Sequence, residues 1–242
     1  MDAHQRAQGG VGSGYDIITG VFGSCVYRRD QSSPLCCRSS PFHLAESLVV
    51  VFGYGGSKSS STPVLVRRIK EWRRQSSAEE RELWSEYGRN NEAIISMMLG
   101  EGDKAALKQL YVSKLEIVRK IGVASGSNIV PDEVYELMKK TNKVDWVVGC
   151  MIAGAGGADS FYCLCDAARW SADAIETIWK EWDYHVSPVQ VWEQGLTLVC
   201  QEWDACLNKH DTKQLRTFHY SDSSALQSSA SACIESLCYS LC

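Results

Sequence analysis

The chain has 242 residues, room for one large domain or two small ones, and its 45% hydrophobic and 22% charged content is that of an ordinary soluble globular protein. The formal net charge is −4, and no basic run goes beyond pairs such as Arg67-Arg68 and Arg73-Arg74, so nucleic acid is not an expected partner. No apolar run approaches the ~20 residues that cross a bilayer, and the N-terminus lacks the apolar stretch of a signal peptide; no membrane partner is expected, and a cytoplasmic location is. The 11 cysteines include no C-x-x-C, and Cys200, Cys206 and His210 lack a second paired half, so free thiols are expected rather than a metal centre.

In chain order, Ala7 to Arg29 comes first. Gly9, Gly10, Gly12 and Gly14 surround Ser13, with Asp16 just beyond and an apolar segment after it. Glycines at that density allow left-handed angles and close approach to a ligand. Their successive N–H groups make a concave nest for an anion, and a helix starting near Tyr15 or Asp16 would add its positive end. A flexible glycine-rich N-terminus is the competing reading of these residues. Gly23 to Arg29 alternates as a strand, Gln31 to Phe42 reads as loop, and Leu48 to Phe52 reads as a short buried strand. Gly53 to Ser61 is a glycine and serine linker, the expected domain boundary.

Thr62-Pro63 is a helix start, and the helix runs to about Arg74 with Val66, Ile69 and Trp72 on one side. Ser77 to Glu80 has capping-box spacing. Leu83, Trp84, Tyr87, Ile94, Ile95 and Met98 then carry a long helix to about Leu99. Asp103 opens another, with Leu107, Leu110, Tyr111, Leu115, Val118 and Ile121 as its stripe and the charged residues on solvated faces. Pro131 starts a short helix bearing Val134, Leu137 and Met138.

Trp146 to Ile152 and Ser160 to Cys165 read as strands joined by a second glycine turn, Gly154-Ala155-Gly156-Gly157, with Asp159 at its exit. A helix over Ser171 to Trp182 and a strand or hairpin over Val189 to Val199 follow. Helices grouped before strands argue for an α+β layer rather than a doubly wound sheet. Residues 201–242 lack a sustained apolar period and read as a disordered tail.

Three stretches together resemble one family. The first is similar to the AQGKxGSGFD segment of phosphomevalonate kinases. Gly55 to Pro63 with Lys70-Glu71-Trp72 is similar to their GGSSTP…KKW segment, and Gly154 to Asp159 to their GAGGxD motif. These enzymes are members of the GHMP kinase superfamily. The resemblance implies a ferredoxin-like sheet with helices on one face, the fold of that superfamily's C-terminal domain. It divides the chain into residues 1–56, a remnant of the N-terminal domain, and 57–200, the C-terminal domain, with 201–242 as a divergent tail. It implies an ATP-dependent phosphotransferase that turns 5-phosphomevalonate into the diphosphate in the mevalonate pathway, with ATP and Mg²⁺ as cofactors.

Carried onto this chain, the catalytic position is Asp16. The acceptor's second phosphate ionisation lies at about pH 6, so it is largely ionised already and Asp16 would orient a cation rather than abstract a proton. Ser13, Gly14, Arg28, Arg29, Ser60 and Ser61 would bind substrate, and Gly154, Gly156, Gly157 and Asp159 would bind phosphate. For Arg28 and Arg29, exposed arginines at a strand end is the plain alternative. Two departures stand out. Gly10 replaces the family's lysine, and no P-x-x-x-G-L-G-S-S-A loop for the ATP phosphates is found. The chain therefore looks like the C-terminal half of such an enzyme, expected to be inactive alone. A catalytically dead remnant that still binds a ligand or partner, another GHMP kinase such as mevalonate kinase, and a helical interaction module are the alternatives.

Overall fold

The computed structural model describes residues 14–29, 37–55, 62–100, 102–158 and 160–189. The elements are α1 (Tyr15–Phe22), β1 (Cys25–Arg29), β2 (Cys37–Pro41), β3 (Leu48–Gly55), α2 (Thr62–Gln75), α3 (Ala78–Leu99), α4 (Lys104–Ala124), α5 (Asp132–Asn142), β4 (Val147–Ile152), β5 (Ser160–Asp166), α6 (Ala172–Lys180) and β6 (Tyr184–Val189). Local chemistry sets several boundaries. Ser77 accepts from the Glu80 N–H while Glu80 reaches back to the Ser77 N–H, closing the capping box of α3. Asp103 accepts from Ala105 and Ala106 at the start of α4, and Ser171 from Ala174 at the start of α6.

The main sheet has four strands in the order β4-β5-β3-β6, every neighbouring pair antiparallel. The chain is thus α+β. Four helices lie between β3 and β4 and one between β5 and β6. β3 is a central strand with partners on both sides. It precedes residue 56, and both its partners follow, so the expected boundary runs through one sheet. The glycine linker also begins later than expected, because Gly53 and Gly55 belong to β3.

Successive strand residues point to opposite faces, so Phe161 and Tyr162 of β5 address different sides. Phe161 meets the rings of Trp179 in α6 and Tyr184 in β6 edge-on, at centroid distances of 4.5 and 4.9 Å. Tyr162 meets Tyr111 of α4 at 6.4 Å. Helices therefore cover both faces, α6 one and α4 the other, where one covered face was expected. Two strand glycines make this possible. A Cβ at Gly53 would lie 2.7 Å from the Phe161 ring and 2.9 Å from Trp179, and one at Gly149 would lie 2.2 Å from the Tyr111 ring. The sheet makes room for large rings by removing side chains beneath them.

The expected apolar stripes supply the core. Tyr87, Ile94, Ile95 and Met98 of α3 are buried, as are Leu107, Tyr111, Leu115, Val118 and Ile121 of α4 and Val134, Leu137 and Met138 of α5. In α2 the buried pair is Leu65 and Ile69, with Val66 only half-buried. Asn142 closes α5 against the edge of the sheet. Its side-chain amide accepts from the Cys150 N–H at 2.8 Å and donates to the Cys150 carbonyl at 3.3 Å, pairing the outer rim of β4.

Two strands were not expected. β2 lies inside the presumed loop 31–42 and pairs with β1 over Cys25 to Arg29. β6 begins at Tyr184, before the expected strand at 189, and pairs with β3 from Val50 to Gly55. β6 carries Pro188 and has a neighbour on one side only among the described residues, the kind of position where sheets accept proline. The remainder of the expected 189–199 strand and the 201–242 tail lie outside the described residues.

Candidate functional site

The first glycine-rich stretch enters the described residues at Gly14, which takes the N-cap position of α1 with φ 78° and ψ 8°. This left-handed conformation suits glycine, and its carbonyl accepts the first helical bond from Ile18 at 3.1 Å. Among the described residues no side-chain cap bond is made at the helix start. An anion there would meet N–H groups and the positive helix end. Ile18 of α1 packs with Cys25 and Tyr27 of β1 and with Tyr15, so α1 rests on one face of the β1–β2 hairpin. Val26, on the other face, joins the main core. Ser13 and the side chains of Asp16 and Arg29 lie outside the described residues, as do Ser60, Ser61 and Asp159.

Arg28 points toward α3, and both terminal nitrogens pair with the Glu92 carboxylate, the Nη2–Oε2 bond at 2.6 Å. Its guanidinium is therefore held by a carboxylate of the protein. The pair is half-exposed, with side-chain exposures of 48% and 43%.

The second glycine turn, between β4 and β5, differs from expectation more sharply. Gly154, Gly156 and Gly157 all have positive φ, at 60°, 90° and 109°. Yet the Gly157 N–H donates to the Ile129 carbonyl at 2.8 Å, and the Gly156 N–H to the Ala153 carbonyl at 3.3 Å. A Cβ at Gly156 would stand 2.5 Å from that same Ile129 carbonyl oxygen. The Tyr184 hydroxyl donates to the Ala158 carbonyl. The concavity read as a phosphate cradle is thus filled at Gly156 and Gly157 by the loop that follows α4. Gly154 differs: a Cβ there meets nothing within 4 Å.

Between the two stretches lies a polar group the sequence reading passed over. Lys114 of α4 is only 1% exposed and Asn91 of α3 is 0% exposed. The Lys114 ammonium donates to Asn91 Oδ1 at 2.9 Å and lies 5.5 Å from the centre of the Tyr87 ring. Among the described residues the Asn91 amide nitrogen has no hydrogen-bond partner. Neighbouring Asn90 donates to the Leu110 carbonyl at 3.0 Å. Charged residues of α4 were all assigned to solvated faces, but Leu107, Tyr111, Lys114, Val118 and Ile121 form one stripe at spacings of four, three, four and three residues. A lysine inside that stripe was the available signal.

The buried thiols of Cys150, Cys163 and Cys165 are free. Burial pushes the Cys163 thiol well up, and Cys165 is raised by its bond with Cys163 and by burial, so neither is a reactive thiolate. Among the described residues no group of three His, Cys, Asp or Glu side chains could hold a metal ion, and no helix is long and apolar enough to cross a membrane.

No protein-family description matches the chain. In curated proteins it is similar to the phosphomevalonate kinase of Gibberella zeae, 29% identical over 74% of this chain and 46% of that one. It is likewise similar to the phosphomevalonate kinase of Aspergillus fumigatus, 26% identical over 75% of this chain and 45% of that one. Among solved structures it is similar to the L. major mevalonate kinase in complex with R-mevalonate, with a TM-score of 0.50 and 18% identity over 68% of this chain and 49% of that one. That likeness supports a GHMP-kinase-like fold. The chain is thus similar to phosphomevalonate kinases, and it spans about half the length of the curated relatives it matches.

Proposed function

We propose that the chain is the phosphomevalonate-side portion of an ATP-dependent phosphomevalonate kinase. The observation that carries this reading is the similarity to curated phosphomevalonate kinases over about three quarters of the chain. The reaction moves the γ-phosphoryl group of ATP onto a phosphate oxygen of 5-phosphomevalonate: the bond from the γ-phosphorus to the β,γ-bridging oxygen breaks, a bond to the acceptor oxygen forms, and ADP leaves. Positioning and charge neutralisation are the main demands of such a transfer.

On this reading the start of α1, with its glycine N-cap, faces the acceptor phosphate, helped by Ser13 and with Asp16 orienting a cation. Gly154 is the residue of the second turn with room for a ligand, whereas Gly156 and Gly157 shape that turn. The internal bonding of those two amides does not fit a phosphate there, so no step is routed through them. ATP follows from the reaction class. The described residues do not gather a Mg²⁺ site, and no step runs through the ion; Asp16 and Asp159 are the carboxylates that would be available to it. We also infer a cytoplasmic location, and a C-terminal kinase domain over residues 57–200 to whose sheet β3, just before residue 56, adds a central strand.

The test is a coupled assay for ADP release by the native protein isolated from its own cells, with 5-phosphomevalonate or mevalonate as acceptor. Release with 5-phosphomevalonate alone is the expected result. Release with mevalonate alone would move the chain to that kinase. Calorimetric binding of 5-phosphomevalonate without ADP release would leave a ligand-binding remnant.

A further inference from the structure

We propose that Tyr54 and His185 are substrate-contacting residues that hydrogen-bond an anionic group of the acceptor. The first observation is where the sheet places two of the family-like stretches. β3 ends in Tyr54-Gly55 and runs on into the stretch from Gly55 to Pro63, while β5 begins at Ser160, directly after the stretch from Gly154 to Asp159. Tyr54 pairs with Ser160, so the two stretches leave the sheet side by side. Binding groups gather where loops leave a rigid scaffold.

The second observation is a row of polar side chains across that end of the sheet. Ser160 of β5, Tyr54 of β3 and His185 of β6 are direct cross-strand partners. Such partners share one face, here the face of Tyr162 rather than that of Phe161. On this face Tyr111 of α4 packs over Gly149 of β4. On the β3–β6 side, by contrast, Tyr54 is 49% exposed and His185 is exposed. Their ring centroids lie 5.6 Å apart, and among the described residues neither the phenol hydroxyl nor the imidazole makes a hydrogen bond. A phenol O–H beside an imidazole N–H offers two donors to one phosphate or carboxylate.

The third observation is how firmly the pair is held. Asp183 takes a left-handed φ of 61°, and its carbonyl oxygen stands 2.4 Å from where a Cβ on Gly55 would lie. Only glycine lets β3 close on the start of β6 in this way. Tyr184 points to the other face, and its hydroxyl donates to the Ala158 carbonyl at the exit of the second glycine turn. The backbone of His185 is thus fixed between the glycine turn and the stretch that follows β3, with its ring in the open. Donors fixed before the ligand arrives lose little freedom on binding it.

That the acceptor is 5-phosphomevalonate rests on the function proposed above; the contact is also probed apart from it. Mevalonate keeps the carboxylate and lacks the phosphate, and inorganic phosphate is the converse. The experiment follows the histidine ring C–H signals of the full chain by NMR while each probe is added, with calorimetry alongside. The His185 signals, identified by their loss in His185→Gln, are expected to shift with 5-phosphomevalonate and with whichever simpler probe carries the anionic group they hold. His185→Gln is expected to weaken 5-phosphomevalonate binding about tenfold, and Tyr54→Phe about threefold. Both positions are exposed, and near-ultraviolet circular dichroism checks that the variants fold; the ring signals of the unaltered chain are a readout independent of the variants' affinities.

Calorimetric binding of 5-phosphomevalonate that neither moves the His185 signals nor weakens in His185→Gln would overturn the contact while leaving the kinase reading standing. A His185 shift with mevalonate or inorganic phosphate, without binding of 5-phosphomevalonate, would do the reverse. Signals that no probe moves overturn the contact whatever the variants do.

Discussion

The two glycine-rich stretches look alike in sequence and are used differently. At Gly14 the left-handed residue opens a helix, and no capping side chain is found there among the described residues. At Gly156 and Gly157 the left-handed residues bring the chain against itself, and the amides are spent on the Ala153 and Ile129 carbonyls. Glycine density announces close approach, but what approaches is decided by elements far away in sequence, here the loop after α4. A nest and a tight internal joint share one signature.

The largest expected break in this comparison is Gly156→Ala. Its φ of 90° and the 2.5 Å approach to the Ile129 carbonyl leave no room for a methyl group. A loss of about 3 kcal/mol of stability in urea unfolding is expected, from backbone strain and overpacking together. Tyr184→Phe comes next. It leaves the Ala158 carbonyl without the tyrosine hydroxyl, and about 2 kcal/mol should be lost in the same measurement. Gly154→Ala keeps the strained φ of 60° but meets nothing, so about 1 kcal/mol is expected. A Gly154→Ala cost equal to that of Gly156→Ala would erase the distinction within the turn.

A pH series sharpens the comparison with the smallest effects. The backbone N–H of Ser77 and the Trp72 indole hold the Glu80 carboxyl below its usual range, and Lys104 does the same to Asp166. Both stabilise the fold fully above the ordinary carboxylate range and lose that contribution as pH falls through it. At the alkaline end, the Tyr135 hydroxyl donates to Glu116 and is pushed up to about 12. Its contribution is complete below pH 10 and is lost between 10 and about 12. None of these groups lies in the glycine turn, so unfolding midpoints of Gly154→Ala and Gly156→Ala should move in parallel across the series.

Much of the framework was legible because helix signals are local. The Ser77–Glu80 box, the Asp103 and Ser171 caps and the apolar stripes of α3 to α5 need only neighbours within a few residues. The misses are non-local. β2, rich in serine and ending in proline, is a strand because β1 pairs with it, and β6 contains a proline at a position with a neighbour on one side only among the described residues. The glycines of β3 and β4 mark rings arriving from β5, α6 and α4, which no window around Gly53 or Gly149 contains. The Arg28–Glu92 pair likewise joins residues 64 apart, beyond any sequence window.

The most direct test of the division between the two stretches is amide exchange and chemical-shift mapping of the full chain by NMR. The Gly157 N–H should be protected from exchange and indifferent to 5-phosphomevalonate, while the amides of Tyr15 and Asp16 at the start of α1 shift with the ligand. Rapid exchange at Gly157 together with a ligand-dependent shift there, and none at α1, would contradict the account.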